Sequence, residues 1–168
     1  MLNTNLHAWP FILRARAKGA KIVVIDPVRT RTAKQADWHI TIRPGTDAAL
    51  ALGMMHVIID EGLHDADYVE KYTLGFEELK ARAMEFPPAR VSEITGIPVP
   101  DILQLAREYA TTQPSAIRQG VAVERSPGGG DAIRAITCLP ALVGACLPGS
   151  RFRVPIATDG PDPTNMIQ

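Results

Sequence analysis

A short apolar run near the start of the chain most constrains its fold. Residues 21–25 read Lys-Ile-Val-Val-Ile, and Gly19 and Pro27 bound the run. β-branched residues favour extended backbone, and a strand without polar alternation is typical of a parallel sheet covered on both faces. Parallel neighbours need a crossover connection, which is usually a helix. The run therefore predicts an α/β fold with mostly parallel strands.

The composition is typical of a protein with a buried core, and it argues against a nucleic-acid partner. The 168 residues are 46% hydrophobic and 21% charged, which permits a buried core. Lys plus Arg number 18 and Asp plus Glu number 18, so the formal net charge is zero. A nucleic-acid surface needs a basic excess, so we expect no nucleic-acid partner. The longest apolar run, residues 48–59, is too short to cross a bilayer, and we expect no membrane span.

Helical and extended patterns alternate along the chain. The clearest helix is residues 48–61, which are apolar nearly all round and should be buried. Residues 29–34 are expected to form a polar loop, and residues 147–168 an irregular tail. Periodicity, capping residues and breakers predict the remaining elements. These are helices at residues 9–18, 67–72, 76–84, 88–94, 100–111 and 131–145, and strands at residues 38–42 and 115–123.

The spacing of the cysteines, histidines and serines indicates neither a metal site nor a catalytic nucleophile. Cys138 and Cys146 lie eight apart in an apolar run, which we interpret as two small buried side chains. The four histidines do not cluster with cysteines or carboxylates, so no metal site is expected. Ser115, Ser126 and Ser150 lack a nucleophile-elbow motif, and neither cysteine has a histidine nearby in sequence.

The first candidate binding residue is Asp26, directly after the apolar strand. Ligands of open α/β sheets bind beyond the carboxyl ends of the strands, where a carboxylate can accept both hydroxyls of a ribose. The same residue fits an aspartate that forms a turn before Pro27. The Gly-x-Gly-x-x-Gly loop that marks NAD sites is absent, which disfavours an NAD-type half-domain.

The second candidate is the turn at residues 43–47, Arg-Pro-Gly-Thr-Asp, before the buried helix. A helix N-terminus offers unpaired N–H groups to a polar ligand, and Gly45 allows close approach of the backbone. Thr46 and Asp47 could bond a guanine edge or a ribose. Simple capping of the helix by either side chain explains the turn equally well.

Two weaker signals concern phosphate. Arg29, Arg31 and Arg43 could neutralise a pyrophosphate, or they could form a solvated loop face. Residues 128–130, Gly-Gly-Gly before a helix, could cradle phosphate or form a flexible surface loop. They lack the Lys-Ser/Thr pair that an ATP-binding loop requires.

Three segments together resemble the molybdopterin oxidoreductase family, of the dimethyl sulfoxide reductase and formate dehydrogenase type. They are residues 19–33 (Gly-Ala-Lys-Ile-Val-Val-Ile-Asp-Pro-Val-Arg-Thr-Arg-Thr-Ala), residues 36–37 (Ala-Asp) and residues 42–50 (Ile-Arg-Pro-Gly-Thr-Asp-Ala-Ala-Leu). Residues 72–76, 94–98 and 105–110 also look like that family. The resemblance covers residues 5 to 145.

The resemblance implies a cofactor and a set of binding residues. Such enzymes hold molybdenum or tungsten between two molybdopterin guanine dinucleotides, and each nucleotide lies on an αβα (Rossmann-like) domain. Carried over residue by residue, the family implies no catalytic residue and no metal ligand in this chain. The residues it implies for contact with one nucleotide are Asp26, Pro27, Arg29, Thr30, Gly45, Thr46 and Asp47.

Departures from the family pattern imply an internal fragment. The cysteine motif for an iron–sulfur cluster, the metal ligand and a Gly-x-Asn phosphate loop all lie upstream in the family, and nothing here matches them. We expect the iron–sulfur cluster only in the parent enzyme, and we expect this chain to be inactive alone. The alternatives are a stand-alone nucleotide- or cofactor-binding module, a subunit without catalysis, or a product that binds no ligand.

The family layout also implies incomplete αβα layers. Residues 1–72 resemble the end of one domain, residues 73–146 part of its neighbour, and residues 147–168 an irregular tail. Exposed apolar faces would then favour the rest of the parent chain, or self-association, as partners. We expect the apolar helix at residues 48–59 to be the segment most liable to cause misfolding or association. No export signal is visible, so we expect a cytoplasmic protein, or a periplasmic one if an upstream signal is missing.

Overall fold

A computed structural model describes residues 6–145, and the expected tail at residues 147–168 lies outside this range. All of the expected helices are present within this range, with ends that differ by at most three residues. The 3-10 turns are Leu6–Ala8 and Ala33–Gln35, and the second overlaps the end of the expected polar loop at residues 29–34. The regular elements are α1 (Trp9–Ala17), β1 (Val23–Ile25), β2 (Trp38–Ile40), α2 (Asp47–Asp60), α3 (Ala66–Tyr72), α4 (Phe76–Met84), α5 (Pro88–Thr95), α6 (Val99–Thr111) and α7 (Gly129–Leu142).

The two strands form a parallel pair, in which Val23 lies opposite Trp38 and Ile25 opposite Ile40. A mixed helix–strand fold with parallel pairing is thus confirmed, while layering as αβα stays a prediction. The expectation that the first strand is buried on both faces is wrong, because Ile25 is 41% exposed. In the described part β2 is the only strand that pairs with β1, so one side of β1 has no sheet neighbour.

Helix α2 is the centre of the core. It contacts α4, α5, α6 and α7, and Met55 and Ile58 on it are fully buried. The expectation that this helix is buried is confirmed, because α4, α5, α6 and α7 cover it. The division into two domains near residue 72 stays a prediction about a longer protein. The largest fully buried side chains are Met55, Ile58, Val91, Thr95, Ile97, Ile102 and Leu142.

The strand pair is tied to the helices by apolar and charged contacts. Ile40 and Ile42 belong to the same buried cluster as α2. Lys21 lies before β1, and its Nζ is 2.6 Å from Glu108 Oε2 on α6 and 4.9 Å from the centre of the Trp38 ring. These contacts place the ends of β1 and β2 beside the helical core.

The strand expected at residues 115–123 is not formed, and residues 121–125 are turns instead. Val121 is 59% exposed, so its apolar side chain is not used in the core. A strand needs a neighbour for its backbone groups, and the sheet in the described part has two strands only. Among residues 6–145, no helix is long and apolar enough to cross a membrane.

Candidate functional site

Both candidate segments follow strands that end at the same edge of the sheet. Residues 26–30 come directly after β1, and residues 43–47 come three residues after β2. Because the strands are parallel, their carboxyl ends point the same way. In the described part no hydrogen bond or ion pair joins the two segments, so their relative position depends on the elements behind them.

Asp26 makes a turn and keeps acceptor capacity. Its N–H donates to the Ile40 carbonyl at 3.1 Å, and its Oδ1 accepts the Val28 N–H at 2.8 Å. The interpretation of Asp26 as a turn-forming residue is therefore correct for Oδ1. Among the described residues, its second carboxylate oxygen has no hydrogen-bond partner, and a ligand hydroxyl could use it.

Thr30 fixes the loop after Asp26. Its Oγ1 accepts the Ala33 N–H at 3.3 Å, and its carbonyl accepts the Lys34 N–H at 2.9 Å. Both bonds hold the start of the short 3-10 turn at residues 33–35. Thr30 thus shapes the loop that carries Pro27 and Arg29, both of which are exposed.

A cleft of about 630 Å³ opens beside this loop. Of the predicted site residues, Pro27 and Arg29 line it, whereas Asp26, Thr30 and the turn at residues 45–47 are not part of its wall. The full lining is Pro27, Arg29, Ala33, Ala36, Asp37, Trp38, His39 and Thr41.

Sequence reasoning missed His39, which links the cleft to the Asp26 loop. The His39 Nε2 lies 3.0 Å from the Asp26 carbonyl oxygen, to which a ring N–H can donate. The signal was available, because alternation in β2 sends Ile40 into the core and leaves His39 and Thr41 on the other face.

Asp37 also lines the cleft, but its carboxylate is used within the fold. It accepts the Ile22 N–H at 2.9 Å through Oδ2, and Arg16 Nη2 lies 2.5 Å from Oδ1. The Ile22 hydrogen bond and then the Arg16 guanidinium hold the pKa of the Asp37 carboxyl below its ordinary value, against an opposing effect of burial. Asp37 therefore fixes the start of both strands.

The turn at residues 43–47 leaves the N-terminus of α2 without a side-chain cap. Thr46 occupies the position before the helix, but its hydroxyl donates to the Arg43 carbonyl at 2.7 Å. The alternative explanation of this turn as simple capping is thus wrong for Thr46. Gly45 has φ +78°, a left-handed conformation that other residues rarely adopt. The first N–H groups of α2 consequently have no side-chain acceptor at the position before the helix.

The three arginines considered for pyrophosphate have different surroundings. The Arg43 Nη1 donates to the Glu93 and Ile94 carbonyls at the end of α5. These hydrogen bonds occupy the guanidinium, so Arg43 is a poor candidate for binding phosphate. Arg29 and Arg31 are exposed, and Arg29 lines the cleft. Arg29 is therefore the cation best placed for an anion in the cleft.

Of the three glycines at residues 128–130, Gly129 permits close packing at the start of α7. A Cβ added to Gly129 would lie 2.4 Å from the Val123 carbonyl oxygen, so the backbones approach closely there. None of the three lines the cleft. The suggestion of a phosphate loop receives no support from this geometry.

Metal-ligating groups are dispersed in the described range. Within residues 6–145, no three His, Cys, Asp or Glu side chains lie close enough to hold a metal ion. Cys138 is half-buried, and burial raises the pKa of its thiol, which keeps it protonated.

Comparison with known proteins finds relatives that match most of this chain, including the candidate site. The family model "Molybdopterin oxidoreductase" matches residues 6–154. A Bacillus subtilis (strain 168) protein named "Probable oxidoreductase YoaE" is 47% identical over 146 residues, which are 87% of this chain and 22% of that protein. Formate dehydrogenase H of Escherichia coli (strain K12) is 39% identical over 133 residues, which are 79% of this chain and 19% of that protein.

A solved structure agrees with this match. Acetylene hydratase from Pelobacter acetylenicus superposes with a TM-score of 0.80 at 42% identity, over 84% of this chain and 20% of that one. The chain thus spans about a fifth of the length of the relatives it matches.

Proposed function

The chain belongs to the molybdopterin oxidoreductase family, and we propose that it forms part of the cradle for one molybdopterin guanine dinucleotide. The parent would be a longer molybdenum or tungsten oxidoreductase with two such cofactors. The observation that carries this proposal is the shared sheet edge, where the Asp26 carboxylate and the uncapped N-terminus of α2 follow parallel strands.

The residues at this edge fit the groups of a guanine dinucleotide. The unpaired oxygen of Asp26 can accept ribose hydroxyls, and the N–H groups at the start of α2 can donate to a polar or anionic group. Gly45 permits close approach of the backbone, and Thr46 and Asp47 flank it. Arg29 can pair with the pyrophosphate from the cleft. When bound, the cofactor supplies the two-electron chemistry at its metal.

The names of the relatives support a role in holding the cofactor. One matched relative is named a hydratase and another a formate dehydrogenase. Both contain a segment that is similar to this chain. A stretch common to such different reactions is better suited to bind a shared cofactor than to select a substrate. We therefore place the substrate-selecting residues outside it.

We further propose the layout that the family implies. Residues 1–72 and 73–146 would belong to neighbouring αβα domains, and other parts of a longer protein would complete their layers. The exposed side of β1 is the place where such completion is needed. The chain alone would bind nucleotide but would not catalyse a reaction, because no metal ligand is assigned within it.

The test is titration of the purified chain with guanosine 5′-diphosphate, with adenosine 5′-diphosphate as the comparison, by isothermal calorimetry. Asp26→Asn should lower the affinity for the guanosine nucleotide about tenfold, because one charge-assisted hydrogen bond to ribose is lost. The asparagine Oδ1 can still accept the Val28 N–H, so the turn itself should persist.

Asp67→Asn is the matched control. Asp67 is an exposed carboxylate in the first turn of α3, outside the proposed cradle. It should bind the nucleotide as the wild type does. Wild-type protein that does not bind the guanosine nucleotide, or D26N protein that binds it unchanged, would contradict the proposed cradle.

A further inference from the structure

We propose that Arg43 is a positioning residue, which holds the turn at residues 43–47 in place by capping the C-terminus of α5. This inference deepens the proposed function, since that turn is one of the two segments of the cradle. It assigns a supporting role to the connection between α5 and α6, which lies about fifty residues later in the sequence.

The contacts of Arg43 cover the last turn of α5. Its Nη1 donates to the Glu93 carbonyl and, at 3.3 Å, to the Ile94 carbonyl, and its backbone N–H donates to the Thr95 carbonyl at 2.9 Å. The last carbonyls of a helix have no partners within the helix and carry a partial negative charge. One residue from another element thus satisfies three consecutive carbonyls with its cation and its backbone.

The receiving end of α5 is rigid. Thr95 is fully buried, and its Oγ1 donates to the Val91 carbonyl at 2.7 Å and accepts the Ile97 N–H at 3.2 Å. Gly96 has φ +77°, and a Cβ added there would lie 3.3 Å from the Arg43 Nε. The Arg43 side chain therefore lies directly against Gly96, on a support that cannot easily shift.

The same residue also fixes the turn. The Arg43 carbonyl accepts both the Thr46 N–H, at 3.3 Å, and the Thr46 hydroxyl, at 2.7 Å. The Thr46 carbonyl in turn accepts the Leu50 N–H in the first turn of α2, at 3.2 Å. A continuous path of hydrogen bonds therefore runs from the end of α5 through Arg43 to the start of α2.

The test compares Arg43→Met with Arg107→Met. Arg107 is an exposed arginine whose Nη2 donates at 2.7 Å to Glu61, at the opposite end of α2. The two variants each remove one guanidinium from one end of the same helix. We would measure amide hydrogen exchange by NMR, together with titration by guanosine 5′-diphosphate.

R43M should raise the exchange rate of the Leu50 amide about tenfold and leave that of the Leu63 amide, after the helix, unchanged. R107M should raise the exchange rate of the Leu63 amide and leave that of the Leu50 amide unchanged. R43M should also lower the affinity for the guanosine nucleotide about tenfold, whereas R107M should not, and Arg43→Lys should recover part of both effects because lysine can donate to the same carbonyls.

The two readouts separate this inference from the proposed function. If the wild type does not bind the nucleotide, the proposed function fails, and hydrogen exchange still decides the role of Arg43. Equal exchange at Leu50 in R43M and wild type would overturn the inference. If R43M does not fold, R43K decides instead: faster exchange confined to Leu50 supports the inference, and a uniform rise throughout α2 overturns it.

Discussion

At the scale of single residues, Asp37 shows how one carboxylate aligns two strands. It binds the backbone N–H of Ile22 before β1 and the guanidinium of Arg16 on α1, and it directly precedes β2. The Arg16 Nη1 also donates to the Gln35 carbonyl at 2.9 Å. One side chain thereby couples α1 to both strands that end at the candidate site.

The lowered pKa of Asp37 predicts a defined pH dependence of stability. A folded-state pKa below the unfolded value means that the contribution to stability is full above the unfolded pKa and is lost as pH falls through the folded one. We expect Asp37→Asn to be less stable than wild type at pH 7, and the difference to shrink as pH falls below about 4. Urea unfolding at a series of pH values measures this.

Direct titration of the Asp37 carboxyl by carbon-13 NMR supplies the control. Arg16→Met should raise its pKa only partly, because the Ile22 hydrogen bond, the larger cause, remains. A titration midpoint at or above the ordinary value of aspartate in the wild-type protein would contradict the assignment.

The predictability of the site differs from residue to residue. Asp26 could be found because a carboxylate at the end of an apolar strand is a local pattern. His39 and Arg43 could not be assigned their contacts in this way, since each depends on an atom brought near by the fold: the Asp26 carbonyl for His39 and the end of α5 for Arg43.

At the scale of elements, the contact between α2 and α5 depends on a glycine. A Cβ added to Gly53 would lie 2.6 Å from the Val91 Cγ2 and 3.0 Å from its Cγ1. Val91 is fully buried, so it has little room to move. Gly53 therefore permits the close approach of two helices, despite the cost of glycine inside a helix.

Gly53→Ala should destabilise the protein by about 1–3 kcal/mol through overpacking, although alanine is the better helix former. The free energy of unfolding in urea measures the effect. The loss should be smaller in a Val91→Ala background, where the clashing methyl groups are absent.

Gly130→Ala is the matched control in another helix. No atom lies within 4 Å of a Cβ added there, and Gly130 is in the first turn of α7. It should be neutral or stabilise by up to about 1 kcal/mol. A G53A protein as stable as G130A would show that the helices separate easily.

Local signals predicted the helices better than the strands. α4 was predicted at its observed bounds, because Gly75 before it and the spacing of its apolar residues are local features. The strand predicted at residues 115–123 is not formed, because strand formation also requires a neighbouring strand.

At the scale of the whole molecule, apolar side chains remain exposed around α1 and β1. Phe11 is 67% exposed and Val28 is 66% exposed, whereas Trp9, at the start of α1, is buried. Apolar area in contact with water favours association by about 25 cal/mol per Å². The further exposed apolar residues of this region are Leu6, Leu13 and Ile25.

We expect the isolated chain to self-associate through this region. The average mass measured by light scattering after size-exclusion chromatography should rise with protein concentration, and Phe11→Ser with Val28→Ser should reduce the rise. Leu74→Ser is the control. Leu74 is fully exposed, but it lies between α3 and α4 and not in the segments around α1 and β1. Equal association of the control and the double variant would place the contact elsewhere.

The sequence by itself determined the helices, the parallel character of the first strand, the family and the identity of Asp26 and the Gly45–Asp47 turn as candidates. These follow from patterns within one or two helical turns or from short motifs. The tertiary structure alone decided that α2 is enclosed by α4–α7, that β1 is half-exposed, and that Arg43 caps α5 rather than facing a phosphate. The reason is physical: burial and long-range hydrogen bonds depend on which distant segments meet, and no local pattern contains that information.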